Sequence, residues 1–88
     1  MTMKPIILHW QLIDPETNKA RWYSLATSKD LWGNTVLIKR WGRINRRGQE
    51  KLEWFNDAKS LRVAIQKTHK RRLNHQYQLI GSESHRID

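Results

Sequence analysis

Lys39-Arg40-Trp41-Gly42-Arg43-Ile44-Asn45-Arg46-Arg47-Gly48-Gln49 holds five positive charges, one aromatic ring and two glycines in eleven residues, with no acid among them. Charges packed this densely repel one another, and an anionic ligand would supply the missing countercharge. Upstream, Thr35-Val36-Leu37-Ile38 is apolar and β-branched and reads as a strand. Downstream, Lys51-Leu52-Glu53-Trp54-Phe55 reads as another. The basic run is therefore the end of one strand and the loop into the next, a place where a rigid sheet can present binding groups.

Working outward, Ile6 to Ile13 alternates apolar residues with His9 and Gln11, as a half-buried strand does. Asp14 to Lys19 is a turn built on Pro15 and Asn18. Ala20 to Thr27 is a second strand with two possible inner faces, Trp22-Ser24-Ala26 or Arg21-Tyr23-Leu25. Ser28 to Asn34 is a second turn, with Gly33-Asn34 suited to positive φ. In the third strand, Val36, Ile38 and Arg40 share one face, and Leu37, Lys39 and Trp41 the other. Short turns between successive strands imply an antiparallel sheet. The period then changes. Asn56 or Asp57 can cap a helix, and Ala58, Leu61, Ala64, Ile65 and Thr68 fall on one helical face. The helix is expected to end between Arg72 and Gln76, with Tyr77, Leu79 and Ile80 packing back on the sheet. The expected fold is α+β: about four antiparallel strands with one helix across them. Residues 1–80 form the domain, and Gly81 to Asp88 form a polar, frayed tail.

Trp41-Gly42-Arg43, with Ile44 and the basic, Gly-containing turn after it, resembles the signature of the WGR domain. Arg21-Trp22-Tyr23 resembles that family's basic-aromatic strand start. Asp30-Leu31-Trp32-Gly33 resembles its turn before the motif strand. Gly48-Gln49 with Lys51 resembles the strand that follows, and Ala58 to Tyr77 its single helix and closing Tyr. The resemblance covers residues 6 to 78. Asn45 stands where the family commonly has Gly, and Asn tolerates a left-handed backbone better than other non-Gly residues. WGR modules accompany the catalytic domain of DNA-dependent poly(ADP-ribose) polymerases and also occur alone in bacterial proteins. The resemblance implies DNA binding near strand ends through the motif Trp, here Trp41. It also implies a relay role for the motif Arg, here Arg43, toward other domains.

Composition sets bounds. Eighty-eight residues make one domain, and a chain this short buries only about 60% of its unfolded surface. Five tryptophans partly offset the thin core. Cysteine is absent, which removes disulfides and thiolate chemistry and fits a reducing compartment. No apolar run approaches the roughly 20 residues of a membrane span, and the start of the chain lacks a signal peptide's apolar stretch. The expected location is intracellular: cytoplasmic, or nucleoid-associated if bacterial. Residues 39 to 72 hold twelve Lys or Arg against three acids, a surplus equal to the +9 of the whole chain. A basic block on a neutral remainder marks a polyanion-binding face, although a solvated, solubilising surface has the same composition.

Arg43, Arg46 and Arg47 are the strongest phosphate ligands, since a guanidinium fork binds two oxygens at once and stays charged. Lys39 and Lys51 flank them on the strands. Gly42 and Gly48 either let a phosphate approach the backbone or serve turn geometry alone. Trp41 can stack on a base or sugar. Trp10, Trp22, Trp32 and Trp54 are assigned to core or turn packing. Lys67, Lys70, Arg71 and Arg72 form a second cluster, of which Lys70 and Arg71 are taken as phosphate ligands. Favourable dipole interactions at a helix C-terminus account for one or two of these four cations. His9, His69, His75 and His85 are scattered without carboxylates at ligand spacing, so neither catalysis nor a metal or other cofactor is expected. The reading is a nucleic-acid-binding module, DNA favoured, that acts through backbone phosphates with little sequence preference and has no membrane or small-molecule partner. A separate effector protein is a further candidate partner. Two alternatives stay open: binding of RNA or single strands, and docking on an acidic protein partner with Trp41 as the hot spot.

Overall fold

A computed structural model describes residues 6–84; the N-terminal Met1-Thr2-Met3-Lys4-Pro5 and the last part of the expected tail, residues 85–88, lie outside it. Five strands and one helix follow in the order β1 (Ile6–Asp14), β2 (Lys19–Lys29), β3 (Thr35–Arg43), β4 (Gln49–Phe55), α1 (Ala58–Asn74) and β5 (Gln78–Ser84). The sheet runs β4-β3-β2-β1-β5, and every neighbouring pair is antiparallel. β4 and β5 are therefore opposite edges. The chain must cross the whole sheet to travel between them, and α1 is that crossing. This is why one helix can cover one face and leave the other bare.

Pairing resolves the ambiguity in β2. Trp10 sits opposite Tyr23 and Leu8 opposite Leu25, while Tyr23 sits opposite Trp41 and Thr27 opposite Leu37. Arg21, Tyr23 and Leu25 thus share the helix side with Trp10, Leu37, Lys39 and Trp41. The core is Trp10, Leu25, Leu37 and Leu61, with Ala64, Ile65, Phe55 and Tyr77 packed against it. Ala58, grouped with this face by its spacing, is exposed because it is the helix's first residue.

Asp57 caps α1. Its carboxylate accepts from the Ser60 backbone N–H at 2.7 Å and from the Ser60 hydroxyl at 3.0 Å, satisfying one of the helix's orphan donors. At the other end Gln76 adopts φ +69, and the Tyr77 N–H donates to the Arg72 carbonyl at 3.0 Å. This reversal turns the Tyr77 ring back onto the core. Asn45 takes φ +67 at the third position of the Arg43–Arg46 turn, where the Arg46 N–H donates to the Arg43 carbonyl at 3.1 Å. Asn thus serves where positive φ favours Gly.

Three expectations are corrected. Residues 81–84 are not tail but the end of β5, whose polar sequence suits an edge strand paired on one side. Leu79 and Ile80 do not pack back; both are exposed at that edge. Of the tryptophans assigned to core or turn packing, Trp10 is core and Trp22 packs over Gly42 and Gly48, but Trp54 and Trp32 are exposed. Trp54 lies by strand parity on the bare face, and Trp32, 81% exposed, stands in the β2–β3 turn.

Candidate nucleic-acid interface

α1 does not cover all of its side of the sheet. Its Leu61, Ala64 and Ile65 pack on the core. Its last turn carries Arg72, whose guanidinium lies 4.4 Å from the centre of the Tyr23 ring and 5.1 Å from that of Tyr77. Beside them a cavity of about 480 Å³ opens, lined by Arg21, Tyr23, Trp41, Gly42, Arg43, Arg72 and Tyr77. Three guanidinium groups and three aromatic rings meet there, and among the described residues no carboxylate lines it. Tyr23 and Trp41 form one aromatic platform, their rings 5.9 Å apart and 16° from parallel.

The cations differ in how free they are. Arg43 donates to the backbone carbonyl of Asn18 at 3.4 Å and to Asn18 Oδ1 at 3.3 Å, so the β1–β2 turn steadies its side chain. A guanidinium has five N–H donors, and these contacts leave others for a phosphate. Arg72 Nε is buried without a hydrogen-bond partner. Ring faces hold that guanidinium, and among the described residues no carboxylate neutralises its charge. Arg46 and Arg47 are exposed in the β3–β4 loop. Lys51 is exposed on β4, opposite Lys39.

Lys39 is the least free of the predicted ligands. It is ion-paired with Glu53, and both are partly shielded from solvent. Glu53 relieves the like-charge pairing of Lys39 with Lys51 and takes much of Lys39's capacity for an outside anion. Arg40 is paired with Glu50 at 2.7 Å on the opposite face. The structure thus brings Trp41, Gly42 and Arg43 together at the cavity, with Arg46 and Arg47 in the adjoining loop. Lys70 and Arg71 are exposed on α1 and do not line it; Arg72 does.

Arg21, Tyr23, Arg72 and Tyr77 are cavity residues that the sequence reading did not place in the site. A partial signal exists for Arg72: it follows Ile65 by seven and Thr68 by four, the spacing of the helix's inner face. The glycines also have a structural reason. A side-chain carbon on Gly42 would lie 2.8 Å from Gly48 Cα, and one on Gly48 would lie 2.3 Å from the Trp41 carbonyl oxygen. The two strands close at this point, and the Trp22 indole lies over both glycines while donating to the Arg43 carbonyl at 3.1 Å.

Among the described residues no helix is long and apolar enough to cross a membrane, and no group of three or more His, Cys, Asp or Glu is placed to hold a metal. No solved structure gives a significant match to the chain. The uncharacterised protein y4dW of Sinorhizobium fredii (strain NBRC 101917 / NGR234) is similar, 34% identical over 55 residues. Those residues make up 62% of this chain and 27% of that relative, so the chain matches about a quarter of the relative's length. The family model of the WGR domain matches residues 7–84, which include the Trp41-Gly42-Arg43 strand end, the helix and all the cavity-lining residues, and the chain belongs to that family.

Proposed function

We propose that this WGR domain binds duplex DNA, at breaks or ends, through backbone phosphates and with little sequence selectivity. The observation that carries the reading is the cavity beside the end of α1, where Arg21, Arg43 and Arg72 converge on the Tyr23–Trp41 platform with no carboxylate among the described lining residues. Guanidinium groups held by rings and turns are pre-oriented for phosphate oxygens, which lowers the ordering cost of binding. The platform supplies a flat apolar surface for a sugar or an unstacked terminal base. Arg46 and Arg47, in the neighbouring loop, extend the positive surface along a backbone. Phosphate contacts fix register but carry no sequence code.

The test is fluorescence anisotropy of a labelled linear duplex across a range of salt, with a closed circle and a single strand as competitors. Binding that weakens steeply with salt and is competed poorly by the circle supports the reading. Equal competition by the circle makes the protein a general duplex binder. Stronger competition by the single strand moves the reading to single-stranded nucleic acid. Absence of binding at low salt leaves the acidic protein partner as the reading to pursue.

A further inference from the structure

The face of the sheet away from α1 has a different character. By parity it carries Ile7, His9, Gln11 and Ile13 of β1, alternate residues Ala20 to Ser28 of β2, Val36, Ile38, Arg40 and Gly42 of β3, and Glu50, Leu52 and Trp54 of β4. On these four strands the only charged residues of the face are Arg40 and Glu50, and they neutralise each other. Large apolar groups lie open on it: Trp54 is 57% exposed, Ile13 62%, Leu52 41% and Ile80 52%. Ile80 reaches this side beside Gln11 and Ile13. Near the middle, Trp22 stacks on His9 with ring centres 6.1 Å apart. Monomeric proteins rarely leave so many apolar groups on one surface without a use for it.

We propose that a second copy of this chain docks on this face, giving a face-to-face dimer whose two arginine-lined cavities point away from each other. The size fits. Five strands about 4.8 Å apart and roughly 25–30 Å long present about 600–700 Å² per copy. Two such faces bury on the order of 1,300 Å², above the roughly 1,000 Å² that a specific interface needs. The charge also fits. Each copy is +9, but Lys39, Arg43, Lys51 and Arg72 lie on the other side of the sheet, with α1. Two sheets packed about 10 Å apart hold those cations farther from their counterparts than the Debye length of about 8 Å at physiological salt. Along β1 to β4 the contact brings together two largely apolar surfaces whose one charged pair, Arg40 and Glu50, is satisfied within each copy. An acidic partner or a nucleic acid finds no unpaired cation on these strands of the face to recognise. With the two-fold axis along the polar row Glu50-Arg40-Ser24-His9, that row meets its own copy, and Arg40 and Glu50 can exchange partners across it.

The inference does not depend on nucleic-acid binding and is tested without nucleic acid. Sedimentation equilibrium of the whole chain is run over a wide concentration range at high salt, beside Trp54→Lys, Leu52→Glu and Trp32→Ala. The expected result is a mass that rises from one copy to two with concentration. Trp54→Lys and Leu52→Glu each weaken the self-association on the order of 30-fold or more, as loss of an interface anchor does. Trp32→Ala, exposed but outside the face, leaves it unchanged. A thermal melt of each variant confirms folding; should one substitution unfold the chain, the other decides. Wild-type protein that stays a single copy at the highest concentration overturns the proposal. A dimer indifferent to both face substitutions overturns it too, because that dimer forms elsewhere.

Discussion

The Trp22 indole lies so close to Gly48 that a side-chain carbon there would sit 2.6 Å from Trp22 Cζ2. The same carbon would meet the Trp41 carbonyl oxygen at 2.3 Å. A side chain could swing aside, but the backbone of the motif strand cannot without breaking its pairing. Gly48→Ala is therefore expected to destabilise the fold by about 1–3 kcal/mol, the range for forced overpacking. Urea unfolding measures this. Trp22→Ala in the Gly48→Ala background is expected to recover little of the loss, because the carbonyl contact remains. Full recovery would assign the constraint to the indole alone.

A second prediction concerns the core. The Trp10 indole N–H donates to His69 Nδ1 at 3.1 Å, and the two rings lie 5.8 Å apart. Trp10 is fully buried, so the donor has no route to water. His69→Leu is expected to cost about 1–3 kcal/mol by leaving that donor unpaired. In a Trp10→Phe background the same substitution is expected to cost much less, because no donor remains to be orphaned. A double-mutant cycle by thermal or urea unfolding gives the coupling. Additive single and double effects would show that the bond contributes nothing specific.

These cases show which parts of the structure were legible in sequence. β1 and α1 announced themselves by period and β3 by its apolar, β-branched run, while the helix cap was narrowed to Asn56 or Asp57. β2 did not reveal its inner side, because both of its alternating sets carry an aromatic ring; only pairing with Trp10 and Trp41 decides it. Arg72 looked like one of four cations near a helix end. Its inward role depends on Tyr77, which packs beside it only because β5 returns to pair with β1. That pairing is long-range and leaves no local mark in a polar segment such as Gly81-Ser82. Trp54 resembled core because it stands among Leu52 and Phe55 at the apolar end of its strand, and exposure came from the lack of a second covering layer.

Acid sensitivity is expected to track the turns and the helix cap. The Asp57 carboxyl is held below its ordinary value of 3.8, first by the Ser60 backbone N–H and then by the Ser60 hydroxyl. Asp14 is lowered in the same way, chiefly by the Thr17 hydroxyl. A depressed folded-state pKa contributes stability that is fully present above the unfolded value and is lost as pH falls through the folded one. Stability from these two groups is therefore flat down to the region of 3.8 and declines below it. Asp57→Asn keeps a capping oxygen but cannot titrate. It is expected to melt close to wild type at neutral pH and to lose less stability on acidification. Equal acid loss in the variant would remove Asp57 from the account.

The interface itself separates into residues that position and residues that add charge. Arg46 and Arg47 are exposed loop cations, so Arg46→Gln and Arg47→Gln are each expected to weaken duplex binding uniformly across sequences. If each neutralises one phosphate, each reduces the slope of log affinity against log salt by about 0.9. Trp41→Ala is expected to weaken binding by about 1–3 kcal/mol through the lost stacking surface while leaving the salt slope intact. Lys39→Gln, by contrast, is expected to change the slope little, since Glu53 already holds that ammonium. Arg72→Met should do both: lose affinity and salt dependence, and lower stability modestly by removing the cation from the faces of Tyr23 and Tyr77. Anisotropy titrations at several salt concentrations, with a melt of each variant, distinguish these four outcomes. A Lys39→Gln slope change as large as that of Arg46→Gln would show that the Glu53 pair opens on binding. An unchanged slope for Arg72→Met would move the phosphate contacts out of the cavity and onto the loop alone.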